Sequence, residues 1–271
     1  PLIDRFRVMT NANPFAQRST LEYELPPFAV IKEEHYLPAF YEACTEHLAE
    51  VQAILDTPGA ATFENTIVAL EKAGQYLGRV LRVFYNKSSS DTNDALDAIE
   101  EEIAPKFAAH QDAISLNPVL FKRIKDLYDA RESLGLNSED AWLLERYYKD
   151  LIHEGAHLTE AQRDRLKELN EELSSLETQF SKNVLADTND LAILVDSVEE
   201  LDGLSENQIA AAAAAAKDRG HDGKWLIGMV NFTGNPVLDS LTNRDLRKKI
   251  MEASLLKANR ANDNDNKPVL L

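Results

Sequence analysis

The chain has 271 residues, 44% of them apolar and 28% charged, with 10 Gly and 10 Pro, a mix that belongs to helix-rich globular proteins and excludes disordered or fibrous chains. Asp and Glu number 46 against 29 Lys and Arg, for a formal net charge of −17. That charge repels phosphate backbones and anionic lipid heads, so neither nucleic acid nor a membrane surface is an expected partner. No stretch reaches the roughly 18 apolar residues of a membrane span, and the single Cys44 permits no internal disulfide, so a reducing, cytoplasmic location is expected.

Pro1 to Val8 carries charges inside its apolar run and lacks the apolar region of a secretory signal, and Met9 reads as a natural start. Residues 1–24 are expected to be irregular, and Pro14, Pro26 and Pro27 hold the backbone out of helix until about Lys32. From there the apolar residues recur at steps of three and four. Leu37, Phe40, Tyr41, Cys44, Leu48, Val51 and Leu55 form one helical stripe ending before Pro58-Gly59. Thr62-Phe63-Glu64-Asn65 opens a second helix whose face runs from Ile67 through Leu70, Ala73, Leu77 and Leu81 to Phe84. Asp91-Thr92-Asn93 and Asn117-Pro118 cap the third and fourth, and a fifth runs from Ser138 to Leu151.

The sixth helical pattern is the longest. Leu166, Leu169, Leu173, Leu176, Phe180 and Val184 alternate steps of three and four, a seam that calls for a partner helix, while Glu168, Glu171, Glu172 and Glu177 mark a solvated face. After Asp187-Thr188-Asn189 two short aliphatic runs, Leu191 to Val195 and Lys224 to Val230, read as strands, the second broken at Asn235-Pro236. Between them the seven alanines Ala210 to Ala216 predict a short, closely packed helix. Asn243 begins a last helix through Leu255, and the apolar Pro268-Val269-Leu270-Leu271 stops as a chain does where more protein follows. The expected class is mainly α: a multi-helix bundle with a long antiparallel helical hairpin and a small β element near residues 191–230. The expected organisation is an irregular segment at 1–24, a helical domain at 25–190, and a small α+β segment at 191–271 that leads into a missing catalytic region.

One literal motif stands out. His153-Glu154-Gly155-Ala156-His157 matches H-E-x-x-H, in which two histidines one helical turn apart hold zinc and the Glu activates a water. That chemistry needs all five residues in one helix and a third ligand from elsewhere. Here Gly155 follows the last apolar position of the fifth helix, as a C-terminal cap does, and Thr159 and Gln162 have capping-box spacing for the next helix. The pentapeptide is therefore expected to straddle a helix break, with both histidines in a surface loop. His35, His47, His110 and His221 are scattered singly, Cys44 lies on an apolar stripe, and acidic runs such as Glu100-Glu101-Glu102 specify nothing in so acidic a chain. No catalytic, cofactor-binding or metal-binding residue is assigned to this chain.

Three stretches carry a resemblance: Leu25 to Phe40, reading Leu-Pro-Pro-Phe-Ala-Val-Ile-Lys-Glu-Glu-His-Tyr-Leu-Pro-Ala-Phe, then Thr62 to Lys72, and Leu144-Glu145-Arg146-Tyr147-Tyr148-Lys149-Asp150. With Asn170 to Ser174, Phe180, Asn183 and Leu201-Asp202-Gly203-Leu204, the chain resembles the thimet-oligopeptidase-like zinc metallopeptidases from about Asn13 to Arg260. The resemblance implies a parent with two mostly helical halves around a deep channel, cleaving short unstructured peptides and, in its peptidyl-dipeptidase members, releasing C-terminal dipeptides. It implies Zn2+ in the full-length parent, bound by an H-E-x-x-H and a downstream Glu that lie beyond Leu271, in a C-terminal catalytic half that would be the partner of this chain. Three readings follow: an N-terminal channel-wall fragment inactive by itself, a self-standing helical interaction module, and a small complete metallopeptidase using His153, Glu154 and His157.

Overall fold

The computed structural model describes residues 13–271; the expectations for Pro1 to Val8, for Met9 and for the first half of the irregular segment lie outside the described residues. The chain divides into two compact units, the first ending at Ser175 and the second running Leu176–Leu271. It is mainly helical, with one small antiparallel β element, and no helix of the described residues is long and apolar enough to cross a membrane.

In the first unit, α1 (Tyr36–Leu55), α2 (Ala69–Lys72), α3 (Gln75–Ser90), α4 (Asp94–Ser115), α5 (Pro118–Asp129) and α6 (Ser138–His153) follow in order, and α7 (Glu160–Asp190) begins there. Their starts are chemically explicit. Asn93, Asn117 and Asn137 each accept two backbone N–H bonds from the first turn that follows, which satisfies donors a helix start leaves free. Two apolar clusters hold the unit. Tyr36, Phe40, Val80, Phe84, Leu96 and Ile103 join α1, α3 and α4, and Ile67, Leu120, Ile124, Leu127, Leu144 and Leu151 join α5 and α6 to the turn before α2.

The second predicted helix is not continuous. A π-helical turn at Glu64–Val68 leads into α2, Ala73 is extended, and Gly74 sits at φ +71 before α3 begins. Apolar spacing carries across this break unaltered, so periodicity alone conceals it. What makes the break is contact with α1: the Gly74 N–H donates to Glu50 Oε2 at 2.7 Å, and a Cβ on Gly74 would lie 2.9 Å from the His47 ring. Only glycine accepts both the left-handed backbone and the ring.

The long α7 corrects the expected seam. Leu169, Leu173, Leu176 and Phe180 are 43%, 53%, 37% and 38% exposed, so they do not form a buried seam. The face turned inward is polar. In the first unit Asn170 Nδ2 donates to the buried Asp112 at 2.8 Å. In the second unit Asn183 and Asp187 are buried. Heptad spacing counts apolar side chains, whereas a buried carboxylate must find donors wherever they are, and that requirement sets the rotation of this helix.

The second unit pairs β1 (Ile193–Val195) with β2 (Trp225–Ile227), Leu194 opposite Leu226, with α8 (Glu206–Asp218) between them in sequence and packed on β2. Ser205 and Gln208 cap α8 reciprocally, and Ala212 and Ala216 are its buried contacts, so the alanine run is a close-packing surface. The second strand is shorter than its apolar run. It ends at Ile227, and Asn235-Pro236 lies inside α9 (Asn231–Ser240) instead of ending a strand. Pro236 costs this helix a backbone bond, which burial of Val237 and, at its C-cap, Leu241 offsets. Then α10 (Arg244–Leu256), capped by Asn243, contributes Leu246 and Ile250 to the cluster with Val195, Leu201 and Ile227. A short α11 (Lys267–Leu270) follows.

Candidate functional site

The H-E-x-x-H segment is a helix terminus. His153 is the last residue of α6 and Glu154 its C-cap. Gly155, at φ +94, sends its N–H to the Ile152 carbonyl while the Ala156 N–H reaches Leu151 O at 2.9 Å, the paired bonds of a Schellman motif. A Cβ on Gly155 would come within 2.7 Å of Leu166 and 2.9 Å of Leu158, so the turn is also packed closed. His153, Glu154 and His157 are exposed, and Thr159 pairs with Gln162 at the start of α7. Among the described residues no group of three or more His, Cys, Asp and Glu is placed to hold a metal. Two imidazoles on opposite sides of a left-handed glycine do not present the one-faced pair that zinc needs, and these residues do not fit that ion. Replacing His153 with alanine is accordingly expected to leave stability within about 0.5 kcal/mol and metal content unaltered, which chemical denaturation and elemental analysis of the purified chain would check.

A concavity of the first unit, about 690 Å³, reaches the end of α6 at Glu154, and neither His153 nor His157 lines it. Leu70, Leu77, Leu81, Phe107, Ile124 and Leu151 supply apolar walls, and His47, His110, Glu71, Arg146, Tyr147 and Asp150 supply polar groups. Sequence reading treats His47 and His110 as isolated residues, but α1 and α4 bring them together: His47 Nδ1 and His110 Nε2 are 2.9 Å apart. His110 is 6% exposed, is stacked on Phe107, and its Nδ1 is buried without a partner. An N–H there would be an orphaned donor, so the economical tautomer places the proton on His110 Nε2, donating to His47. Burial, with His47 adding a smaller effect, pushes His110 down to about 4. Burial also lowers His47, against the opposing pull of Glu50. Both rings are neutral at pH 7.

Glu71 accepts from the Tyr147 hydroxyl at 2.6 Å. Burial first, and this carboxylate second, hold the Tyr147 phenol well above its usual range. Arg146 and Asp150 form an ion pair one turn apart on α6. Cys44 shows no sign of activation, since burial pushes its thiol up to about 12. His35 caps locally, its Nδ1 accepting the Lys32 N–H. Apolar walls, neutral imidazoles and already-paired carboxylates suit binding; no nucleophile is held beside a base here.

No family model matches the chain. Individual proteins do. The dipeptidyl carboxypeptidase of Escherichia coli K12 is 38% identical over 262 residues, 97% of this chain and 38% of that protein. The dipeptidyl carboxypeptidase of Salmonella typhimurium is 35% identical over 260 residues, again 38% of its length. Oligopeptidase A of Salmonella typhimurium is 27% identical over 252 residues, 92% of this chain and 37% of that protein. The chain thus spans under two fifths of the relatives it matches. Similarity that runs almost end to end along this chain makes it homologous to part of these dipeptidyl carboxypeptidases and of oligopeptidase A.

Proposed function

We propose that these residues form the N-terminal, non-catalytic helical part of a longer zinc-dependent oligopeptidase that releases C-terminal dipeptides from short peptides in the cytoplasm. In this reading residues 25–190 are the helical domain forming a wall of the peptide channel, and residues 191–271 lead into the catalytic region. The carrying observation is the match of 97% of the chain to only 38% of a dipeptidyl carboxypeptidase. The helix break at Gly155 agrees with it, because it leaves His153, Glu154 and His157 unable to form the metal centre such an enzyme needs.

A missing catalytic half also needs a surface to pack on. In the second unit Met251, Leu255 and Leu256 are exposed on α10, more apolar surface on one short helix than a solvated face needs. These residues are the proposed contact with that half. This chain would contribute substrate enclosure, with zinc, water activation and oxyanion stabilisation supplied elsewhere. The test is to incubate the isolated chain with zinc and a free-ended oligopeptide, beside the same peptide blocked at its C-terminus. No dipeptide is expected from either. Chelator-sensitive release of a C-terminal dipeptide from the free-ended peptide by this chain alone would overturn the reading.

A further inference from the structure

The helix face formed by Arg79, Arg82, Val83 and Asn86 lines a second cleft of the first unit, about 580 Å³ in volume, closed on its other side by Phe15, Tyr23, Pro26, Pro27 and Phe28. Spacings of three and four put the four α3 residues on one stripe. Charge makes this cleft unusual. The chain carries −17, yet neither Arg79 nor Arg82 is ion-paired with a carboxylate among the described residues. Glu24, the carboxylate in the lining, is engaged by Arg18 at 3.6 Å. Arg79 Nε is buried with no hydrogen-bond partner. Its Nη2 reaches only the Phe15 carbonyl, at 3.4 Å, and its guanidinium carbon lies 5.2 Å from the Tyr76 ring centroid.

A guanidinium N–H taken out of water with nothing to donate to is a standing cost, and the acceptor that matches its fork is a carboxylate. Aromatic rings, proline rings and Val83 form the apolar part of the wall, which can hold an apolar body, while Gln17, Ser19, Asn86 and the Arg18-engaged Glu24 form its polar part. We propose that this cleft binds an organic carboxylate carrying an apolar body, the carboxylate lying on Arg79 and Arg82 and the body between Phe28, Tyr23 and the prolines. The chemistry is shared by a free apolar acid and by the C-terminus of a peptide ending in an apolar residue. It does not depend on the proposed peptidase role.

Titration calorimetry of the 271-residue chain with N-acetyl-phenylalanine, its C-terminal amide, 3-phenylpropionate and inorganic phosphate tests it. Both carboxylates should bind, and the amide should bind roughly tenfold more weakly, the loss of a charge-assisted pair. Binding of N-acetyl-phenylalanine alone of the two acids would identify a peptide terminus as the source, and equal binding a free acid. Arg82→Met, at an exposed position, should weaken both by a similar factor, and Arg79→Met should do so where its melting profile matches the parent. If Arg79→Met fails to fold, Arg82→Met and the acid-against-amide comparison decide. Equal affinity for acid and amide, unchanged binding in Arg82→Met, phosphate binding as tightly as the acids, or no binding of either acid would each overturn the proposal.

Discussion

Replacing Asp187 with alanine is expected to cost the second unit about 3–5 kcal/mol, the loss seen when one partner of a buried ion pair is removed. Asp187 is fully buried on α7. It forms an ion pair with Arg260 and accepts from the Ala258 N–H at 2.7 Å and from Asn264 Nδ2 at 3.1 Å. Beside it Asn183 donates to Asn266, which donates to the Phe180 carbonyl. The loop after α10 is therefore held on α7 by polar bonds. Alanine would leave the buried Ala258 backbone N–H unsatisfied and Arg260 with only its longer contact to Asp190 at 3.3 Å. It would also remove the bond that holds Ala258 at φ +53, a conformation alanine does not adopt cheaply.

The Arg260 guanidinium, ahead of the opposing effect of burial, holds the Asp187 carboxyl far below the usual carboxylate range. A lowered carboxyl stabilises the fold fully above its unfolded value, about 3.9. That contribution is lost only as pH falls below this value towards the native one. Urea titration at pH 7 followed by Trp225 fluorescence in a Trp142→Phe background isolates this unit. A loss under about 1 kcal/mol would show that the network is solvated and weak.

The histidine pair carries the second large effect, at a different pH. His110 in the fold sits at about 4 against about 6.5 unfolded, so between these values the unfolded chain binds the additional proton. The first unit should hold this contribution fully above pH 6.5 and lose it as pH falls towards 4. At 1.36 kcal/mol per pKa unit the loss by pH 4.5 comes to about 2–3 kcal/mol. Burial raises Asp112, which opposes the trend, so the diagnostic is a difference between variants. His110→Gln keeps a group able to bond His47 but does not titrate. Its stability, followed by Trp142 fluorescence in a Trp225→Phe background, should depend less steeply on pH from 6.5 to 4.5. Parallel profiles for parent and variant would show that His110 is solvated enough to charge without penalty.

Much of this molecule is local and was legible. Asn93 and Asn117 cap helices because their side chains reach donors two or three residues away. The Gly155 turn follows from a glycine placed just after an apolar stripe, and it is what separates His153 from His157. The resemblance to peptidases was legible too, and the similarity to a dipeptidyl carboxypeptidase over 97% of the chain agrees with it. Only tertiary structure decided the rest, wherever the determining partner lies far off in sequence. The break at Gly74 depends on Glu50 and His47 in the preceding helix. The His47–His110 pair spans 63 positions and the Asp187–Arg260 pair 73. The inward face of α7 turns on Asp112, Asn183 and Asp187, because unpaired buried polar groups cost more than a solvated leucine gains. Apolar spacing therefore reported where helices run, while buried polar groups decided which way the longest one faces.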